Sequence, residues 1–302
     1  MAITASMVKE LRELSGAGMM DCKKALTATD GDMDKAVEFL RENGLAKAAK
    51  KAGRIAAEGL VGINMSADHK SAAIVEVNSE TDFVAKNDKF KAYVEAVAAQ
   101  AASTTAADID AFLAEAWNAD NSKTVADELA SQVAVIGENM NIRRFAQVKA
   151  ENGFVESYVH GGGRIGVVVE FEGEATDAAR ECARNVAMQV AAIAPKYVDR
   201  SEVPADYIAH ETEILKAQAM HENPEKPENI IEKMIVGRLN KELKEVCLVD
   251  QVYVKDGDLT VGKYIASVSS DLKVKKFVRF ETGEGIEKKE ENFAEEVARQ
   301  MQ

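Results

Sequence analysis

Three stretches of the sequence have residue spacings that bind phosphate or metal ions in other proteins. In the first, Gly257, Gly262 and Lys263 fit most of the phosphate-binding pattern G-x-x-x-x-G-K-[ST]. Tyr264, however, occupies the position of the small hydroxyl that must reach Mg²⁺. We therefore predict a turn that ends at a helix capped by Thr260, with a nucleotide-binding enzyme as the competing function.

The other two stretches are a glycine pattern and an acidic loop. Residues 161–166 satisfy G-x-G-x-x-G, but valines follow where a pyrophosphate-binding helix should begin, so a hairpin turn is predicted. Residues 30–34 begin like a calcium loop, but Lys35 replaces the required glycine and Arg41 replaces the bidentate glutamate. Helix capping explains these aspartates better.

Side chains for nucleophilic or acid–base chemistry are sparse. The four histidines are isolated, no serine or cysteine has the setting of a nucleophile elbow, and no pair of carboxylates marks a cleft. The three cysteines lack C-x-x-C spacing, which argues against a zinc site and a disulfide framework. The residues therefore predict no catalytic, metal-binding or cofactor-binding site, and they favour a binding protein over an enzyme.

Charge and composition favour a protein partner. The 302 residues carry a net charge of -13 and have a pI near 5.0, which disfavours direct binding to nucleic-acid phosphates. No apolar run approaches the roughly 20 residues of a membrane span, and the first residues lack the apolar segment of a signal peptide. We expect a cytoplasmic protein with reduced cysteines and about two domains.

Residues 81–87, with the sequence TDFVAKN, are the strongest candidate for a binding site. They connect a predicted strand to a predicted helix, and such connections often carry function. Asp82 places a bare carboxylate beside the large apolar ring of Phe83. Two interpretations remain: Thr81 or Asp82 caps the helix while Phe83 folds onto the core, or the ring serves a partner.

The elements that would position these residues begin with a helical module over residues 1–54. A first helix is capped by Thr4 or Ser6, a second spans 19–27, and a third ends at Gly44. So few residues bury little apolar surface. A docking unit is therefore a better interpretation of this module than a catalytic one.

Two features of the helical module have more than one interpretation. Met19 and Met20 are either exposed to a partner, for which flexible and polarizable side chains are suited, or they fill the small core. Residues 46–54 form an alanine-rich, basic helical link with either a solvated face or a phosphate-binding patch. The acidic surroundings favour the solvated face.

The middle of the chain repeats one pattern, in which two strands joined by a polar turn are followed by a helix. The predicted ranges are 59–65, 73–77 and 90–102 in one copy, and 153–159, 165–169 and 178–194 in the other. Another amphipathic helix, closed by Gly137, lies between them. We predict a duplicated core of antiparallel sheets and helices, with one subdomain at 55–144 and the other at 145–198 and 245–283.

A helical hairpin at 199–244 interrupts the second subdomain, because residues 249–254 and 274–280 are predicted strands that need a sheet. The hairpin is either an arm for self-association or partner binding, or it lies flat on the core. A short amphipathic helix is predicted in the final segment, 284–302. The predicted fold class is α+β, multidomain.

Five segments resemble the signature segments of bacterial translation elongation factor Ts, in the same order and over nearly the whole chain. They are GAGMMDCKKAL at 16–26, VNSETDFVAKN at 77–87, IGENMNIRR at 136–144, YVHGGGRIGV at 158–167 and RFETGEGIEK at 279–288. These motifs are far more specific than a lone glycine pattern.

The resemblance implies a guanine-nucleotide exchange factor that binds elongation factor Tu, both GDP-bound and nucleotide-free, and needs no cofactor. It implies that the helical module has a ubiquitin-associated-like fold and docks, together with the C-terminal helix, on the partner's G domain. The second subdomain would contact the partner's third domain. The hairpin would be the family's coiled-coil arm.

The resemblance also implies roles for individual residues. Phe83 would insert between partner helices near the GDP phosphates, while Asp82 disturbs the coordination of Mg²⁺. The intruding residues would be Thr81, Asp82, Phe83 and Val84. The docking residues would be Met19, Met20, Lys23, His160, Gly163 and Arg164.

Overall fold

The computed structural model describes residues 2–287, which form an α+β arrangement of helices and small antiparallel sheets. The helices are α1 Ala5–Ser15, α2 Met19–Ala28, α3 Met33–Lys51, α4 Asp82–Ala85, α5 Asp88–Ser103, α6 Ile109–Ala114, α7 Val125–Ile136, α8 Asp177–Ile193, α9 Ala205–Glu222, α10 Glu228–Val246 and α11 Val261–Val268. The strands are β1 Glu58–Met65, β2 Ser71–Ser79, β3 Ala116–Trp117, β4 Asp120–Thr124, β5 Met140–Lys149, β6 Gly153–His160, β7 Ile165–Glu172, β8 Val252–Tyr253, β9 Asp256–Thr260 and β10 Lys273–Glu281. The helix predicted near the end of the chain lies outside the described residues.

Helices α1 to α3 pack into a small unit. Thr4 caps α1 by accepting a hydrogen bond from the Met7 N–H, and Gly16 ends this helix in the left-handed conformation, with φ at 66°. The buried side chains of the unit are Val8, Leu11, Cys22, Ala25, Leu26 and Ala36. The three helices agree with the sequence pattern, whereas the likeness to a ubiquitin-associated domain stays a prediction.

Helix α3 is longer than the sequence suggests. It continues through Gly44 to Lys51, so the predicted end at Gly44 is wrong and most of the basic link is the second half of the same helix. Gly44 is buried against α7, where an added Cβ would lie 3.6 Å from the Cβ of Ala134. Arg41 adds an ion pair across this contact, from its Nη2 to Oδ2 of Asp127 at 2.8 Å. Gly44 and Arg41 thus both lie at the contact between α3 and α7.

The two three-stranded sheets have the same topology. One has the antiparallel order β1-β2-β5 and the other β10-β7-β6, so the second strand of each is central. In each copy a helix, a two-stranded ribbon and another helix precede the third strand. The repeat is therefore longer than the sequence pattern indicates. Helix α6 is an addition to the first copy, and the α9–α10 hairpin is an addition to the second.

The two sheets pack face to face, and helices cover their outer faces. Side chains from both sheets form the shared layer: Val61, Ala72, Ile74, Val148, Ala150, Val155, Val168 and Phe280. Helices α5 and α7 contribute to the core outside the first sheet, and α8 and α11 to the core outside the second. Both sheets are thus buried on two sides, which fixes the positions of the loops at their ends.

The strand predicted at 249–254 is wrong. Leu248–Asp250 is a 3₁₀ turn, and only Val252–Tyr253 pairs with another strand, β9. The N–H groups of Asp250 and Gln251 donate to the carbonyl of Cys247, so the chain keeps turning after α10. The turn buries Leu248, whereas Val252 and Val254 are exposed, so the apolar residues of this segment do not line one buried face of a strand.

A buried carboxylate joins the two sheets. Glu76 of β2 accepts hydrogen bonds from the Gly283 N–H at 2.8 Å and from Nδ2 of Asn78 at 3.0 Å. Arg143 and Arg144 of β5 also donate to it, at 3.1 and 2.5 Å. Burial raises the pKa of this carboxyl, but the contacts with Gly283, Asn78 and Arg144 outweigh burial and lower the pKa. Glu76 therefore carries a charge that holds the segment after β10 against the first sheet.

Helices α9 and α10 form the predicted hairpin and pack on each other. Tyr207, Leu243 and Cys247 form a cluster near its base, together with the start of the turn that follows. A second small cluster of Ala219, Ile231 and Ile235 lies nearer the tip. We refer to residues 199–244 as the arm.

Candidate functional site

The 81–87 loop contains one helical turn, α4, which is capped at its start and followed by a second cap. Oγ1 of Thr81 accepts a hydrogen bond from the Val84 N–H at 3.3 Å. Oδ1 of Asn87 accepts one from the Lys89 N–H at 2.9 Å, where α5 begins. Thr81 or Asp82 was predicted to cap the helix after the loop, but Asn87 caps that helix, and Thr81 caps the unpredicted turn α4. The two caps restrict the loop at both ends.

Phe83 points away from the protein. Its side chain is 80% exposed, more than any other large apolar side chain in residues 2–287. Ala85 is buried, and Val84 packs against the core of the first sheet. Because α4 is a single turn, these two inward residues leave Asp82 and Phe83 on the outside. The interpretation in which the ring folds onto the core is therefore wrong.

Asp82 carries a charge that Lys86 partly balances. Oδ2 of Asp82 accepts a hydrogen bond from Nζ of Lys86 at 2.6 Å, and this contact lowers the pKa of the carboxyl. The carboxylate is therefore ionised at neutral pH, but it is not bare. Nζ of Lys86 also lies 6.0 Å from the centre of the Phe83 ring. An anionic group and an apolar group thus share one exposed turn beside a lysine.

Glu138 holds the start of the 81–87 loop. Its Oε2 accepts the N–H groups of Glu80 at 3.1 Å and Thr81 at 3.0 Å, and its Oε1 accepts the Thr81 hydroxyl at 2.6 Å. Glu138 and Thr81 are 57 positions apart, so no local sequence pattern connects them. The available signal was the place of Glu138 in the recognised segment IGENMNIRR.

The 160–164 turn connects β6 to β7. His160 ends β6 and is exposed, and its Nδ1 lies 3.0 Å from the hydroxyl of Tyr158. Gly163 is buried and has a left-handed φ of +103°, and an added Cβ would lie 2.8 Å from Cδ2 of Leu60. Glycine is required here because the turn lies directly on strand β1. Gly163 thus fixes the position of the turn, while His160 is open to a partner.

The 160–164 turn and the 81–87 loop lie at the same end of strand β1. The Val61 N–H donates to the carbonyl of Gly163 at 2.7 Å, and Nη1 of Arg164 lies 3.9 Å from Oε2 of Glu58. Glu58 pairs with Ser79, the residue that ends β2 just before the loop. The structure therefore brings the two groups of predicted site residues together.

The remaining predicted docking residues lie apart, on helix α2. Met19 is 59% exposed and Met20 is 75% exposed, so neither fills the core of the helical unit. Lys23 on the same helix is exposed as well. Helix α3 connects this surface to the first subdomain, and Nζ of Lys51 donates to the carbonyl of Gly137. Met19, Met20 and Lys23 thus form an exposed surface on the helical unit.

The motifs that resembled phosphate and metal sites have structural roles. Thr260 caps α11 by accepting the Lys263 N–H at 3.3 Å, as predicted, and Gly257 lies within β9. Residues 161–163 form the predicted hairpin turn, and Asp32 caps α3. Within residues 2–287, no group of three histidine, cysteine, aspartate or glutamate side chains could hold a metal ion.

None of the helices in residues 2–287 is both long enough and apolar enough to cross a membrane.

Comparison with known proteins agrees with the five recognised segments. A model of the family described as Elongation factor TS matches residues 80–284. The chain belongs to the elongation factor Ts family. The elongation factor Ts of Clostridioides difficile (strain 630) is 59% identical to it over 99% of both chains. That of Clostridium tetani (strain Massachusetts / E88) is 56% identical over 99% of this chain and 100% of its own length, and that of Clostridium novyi (strain NT) is 55% identical over 99% of both.

Membership of the elongation factor Ts family makes this chain an elongation factor of protein biosynthesis and confirms the resemblance found in its sequence. The matched residues 80–284 include the 81–87 loop, Glu138 and the 160–164 turn. Helices α1 to α3 precede that range, but they lie within the length shared with the elongation factor Ts relatives.

Proposed function

We propose that this chain is the guanine-nucleotide exchange factor for elongation factor Tu. It binds the GDP-bound form, promotes release of GDP and holds the nucleotide-free form during translation elongation. It acts in the cytoplasm without bond chemistry, without a cofactor and without direct contact to nucleic acid or membrane. The observation that supports this proposal most strongly is Phe83, an aromatic ring that is 80% exposed on a loop held by two caps and a carboxylate.

An exposed ring on a restrained loop can supply binding energy to a partner. Burial of a phenylalanine side chain contributes about 1.5–3 kcal/mol. In the proposed complex, Phe83 inserts between helices of elongation factor Tu near the GDP phosphates, and this energy favours the nucleotide-free state. Each ~1.4 kcal/mol of difference between the two states changes nucleotide affinity tenfold. By linkage, bound nucleotide weakens the binding of the exchange factor by the same factor.

Asp82 acts on the metal ion in this proposal. GDP is held on the partner through Mg²⁺ and through backbone N–H groups around its phosphates. An ionised carboxylate brought close to them competes for the cation and for the N–H donors. The ion pair with Lys86 is exposed, and such pairs contribute little, so Asp82 can exchange this contact for a new one at small cost. Thr81 and Val84 hold the turn that presents both side chains.

The docking residues are proposed to determine affinity for elongation factor Tu. Replacing Met19 and Met20 together by alanine is expected to raise the concentration of factor that gives half-maximal GDP release by about tenfold, because two exposed apolar side chains lose their burial against the partner. The maximal rate should stay unchanged, since the 81–87 loop is intact. Titration of the release rate with increasing factor concentration measures both quantities.

Point substitutions are preferable to deletion of the helical module, because Gly44 of α3 packs on α7 and a deletion would uncover that helix. A matched control is the pair Val252→Ala and Val254→Ala, which alters two exposed apolar side chains on the second subdomain. A fall in the maximal rate for the Met19 and Met20 variant, with no change in the half-saturating concentration, would contradict a docking role. His160, Arg164 and Lys23 can be tested by the same titration.

We also propose that the arm mediates self-association. A groove of about 890 Å³ lies between α9 and α10, with Ile231 and Ile235 in its lining. Met220 and Val236 also line it and are 54% and 59% exposed. Lysines and glutamates both occur around this groove, so a second copy related by a twofold axis offers complementary charge: Lys216, Lys226, Glu228 and Glu232.

Sedimentation equilibrium tests this self-association. The unsubstituted chain is expected to show a concentration-dependent mass that approaches twice that of the monomer, and Val236→Lys should reduce the association constant by about tenfold or more, because a charge enters an apolar contact. Ile193→Lys, on an exposed apolar residue of α8, is the control. A monomer at all concentrations, or equal association of both variants, would show that the arm does not pair with a second copy.

Release of a fluorescent GDP analogue from elongation factor Tu tests the main proposal. The chain should accelerate release, and the rate should reach a plateau as its concentration rises. Equal rates with and without the chain would contradict the exchange function and favour a scaffold. Equilibrium binding of GTP, GDP and ATP to the chain alone separates the proposal from an enzyme that uses residues 257–263, because an exchange factor should bind none of them tightly.

A further inference from the structure

We propose that Glu138 is a positioning residue for nucleotide exchange: it fixes the direction in which the 81–87 loop presents Asp82 and Phe83. This inference rests on the exchange function proposed above and extends it to a residue on the α7–β5 connection. Glu138 does not reach the exposed ring itself. Its effect passes through Thr81 and the backbone of α4.

The carboxylate of Glu138 is half-buried and accepts several hydrogen bonds. Three donors of the loop converge on Glu138: the N–H groups of Glu80 and Thr81 at 3.1 and 3.0 Å, and the Thr81 hydroxyl at 2.6 Å. Hydrogen bonds to a charged acceptor are stronger than those between neutral groups. The chain is thus anchored at the two residues that lie between strand β2 and helix α4.

The hydroxyl of Thr81 both donates and accepts a hydrogen bond. Its hydrogen points to Oε1 of Glu138, which leaves a lone pair of the same oxygen to accept the Val84 N–H at 3.3 Å. Glu138, Thr81 and Val84 therefore form a chain of hydrogen bonds. Val84 directly follows Phe83, so the orientation of the carboxylate is transmitted to the turn that carries the ring.

Glu138 is itself held by its neighbours on both sides. Gly137 ends α7 with φ at 92°, and its carbonyl accepts a hydrogen bond from Lys51 of α3. Asn139 donates its N–H to the carboxylate of Glu80 at 2.5 Å and its side-chain amide to the carbonyl of Arg54 at 2.7 Å. The 137–139 segment is thus fixed to the helical module and to the loop at the same time.

A ring held in one direction can use more of its binding energy to distort the partner's nucleotide site than a mobile ring can. If the loop samples several directions, part of the binding energy of Phe83 is used to order it, and less remains to distort the nucleotide site. Glu138→Gln keeps the size of the side chain but replaces one acceptor oxygen by an N–H₂ donor, which then faces a donor of the loop. The maximal rate of GDP release should fall, while docking through the other surfaces is unchanged.

The test is GDP release from elongation factor Tu with the full chain, titrated to saturation. Glu138→Gln is expected to lower the maximal rate by about tenfold and to leave the half-saturating concentration within about twofold. Thr81→Val should lower the maximal rate in the same way, and Thr81→Ser, which keeps the hydroxyl, should recover most of that loss. A variant that merely folds poorly would instead raise the apparent half-saturating concentration and reach the same plateau.

Glu115→Gln is the matched control. Oε1 of Glu115 accepts a hydrogen bond from the hydroxyl of Thr104 at 2.6 Å, in the same subdomain but outside the 81–87 loop. Glu115→Gln therefore tests whether the loss of any such hydrogen bond lowers the rate. Glu115→Gln should have the maximal rate of the unsubstituted chain. Equal maximal rates for Glu138→Gln and the unsubstituted chain would overturn the proposal, as would an equal loss in Glu115→Gln.

Amide hydrogen exchange of the free chain provides a measurement that does not depend on the partner. Glu138→Gln should increase exchange in the peptide that covers the 81–87 loop by about tenfold, whereas Glu115→Gln should not. Unchanged exchange in the Glu138 variant would overturn the positioning role even if the exchange function holds. If the unsubstituted chain does not accelerate GDP release from elongation factor Tu, the exchange function is wrong. The proposal that Glu138 positions the loop for exchange is then wrong with it.

Discussion

Replacing Phe83 by alanine is expected to lower the maximal rate of GDP release from elongation factor Tu by about ten- to a hundredfold. The reason is the loss of about 1.5–3 kcal/mol of ring burial that would otherwise favour the nucleotide-free state. Asp82→Ala should act in the same direction. The half-saturating concentration should change much less than the maximal rate, because Met19, Met20 and the 160–164 turn still dock. Stopped-flow release of a fluorescent GDP analogue at increasing factor concentration measures both quantities.

The stability of the Phe83→Ala variant is a control for misfolding. Since the ring is 80% exposed, Phe83→Ala should change the free energy of unfolding by no more than about 0.5 kcal/mol. Ile193→Ala, at an exposed apolar residue on the end of α8, should leave both the release rate and the stability unchanged. Release as fast with Phe83→Ala as with the unsubstituted chain would exclude the proposed insertion of the ring.

Replacing Glu76 by alanine is expected to lower the free energy of unfolding by about 3 kcal/mol, because the buried donors of Gly283 and Asn78 lose their acceptor. Arg143 and Arg144 are 31% exposed and keep contacts with Glu284. Urea unfolding monitored by circular dichroism measures the change. Glu172→Ala, which removes a half-exposed ion pair with Lys275, should cost no more than about 1 kcal/mol.

Glu76 also predicts how stability depends on pH. Its pKa in the folded chain is lowered from the ordinary value of 4.5, so the unfolded chain binds the proton more readily. The stability that Glu76 contributes is therefore fully present above the ordinary value and is lost as the pH falls through the folded value. The unsubstituted chain should lose more stability than Glu76→Ala as the pH falls below about 4.5. Identical losses in the two proteins would show that another carboxyl controls this range.

Features set by neighbours in the sequence were predictable. The hairpin of β6 and β7 follows from alternating apolar residues around three glycines, and the caps at Thr4 and Thr260 follow from a hydroxyl placed before a helical run. The exposed direction of Phe83 did not follow from its surroundings in the sequence, because a cap at Thr81 is compatible with both directions of the ring. It was the family resemblance that favoured the exposed ring.

Features set by distant contacts could not be predicted. Helix α3 continues through Gly44, which packs on Ala134 of α7, a contact between two parts of the chain that no periodicity shows. Strand β5 was not predicted, because Arg143 and Arg144 interrupt its apolar alternation. Both arginines donate hydrogen bonds to Glu76. Glu138 was not predicted as a site residue, because the three donors that bind its carboxylate are distant from it in the sequence.

The contact between Glu76 and Gly283 also bears on how the chain folds as the ribosome makes it. The two residues are 207 positions apart, so the carboxylate emerges long before the N–H group that completes its set of donors. Strand β10, which closes the second sheet, emerges equally late. The unit of α1 to α3 has its whole buried cluster between Val8 and Ala36 and can fold early. The two-sheet core can close only when almost the entire chain has been synthesised, and until then its nascent first sheet holds a charge without its final partner.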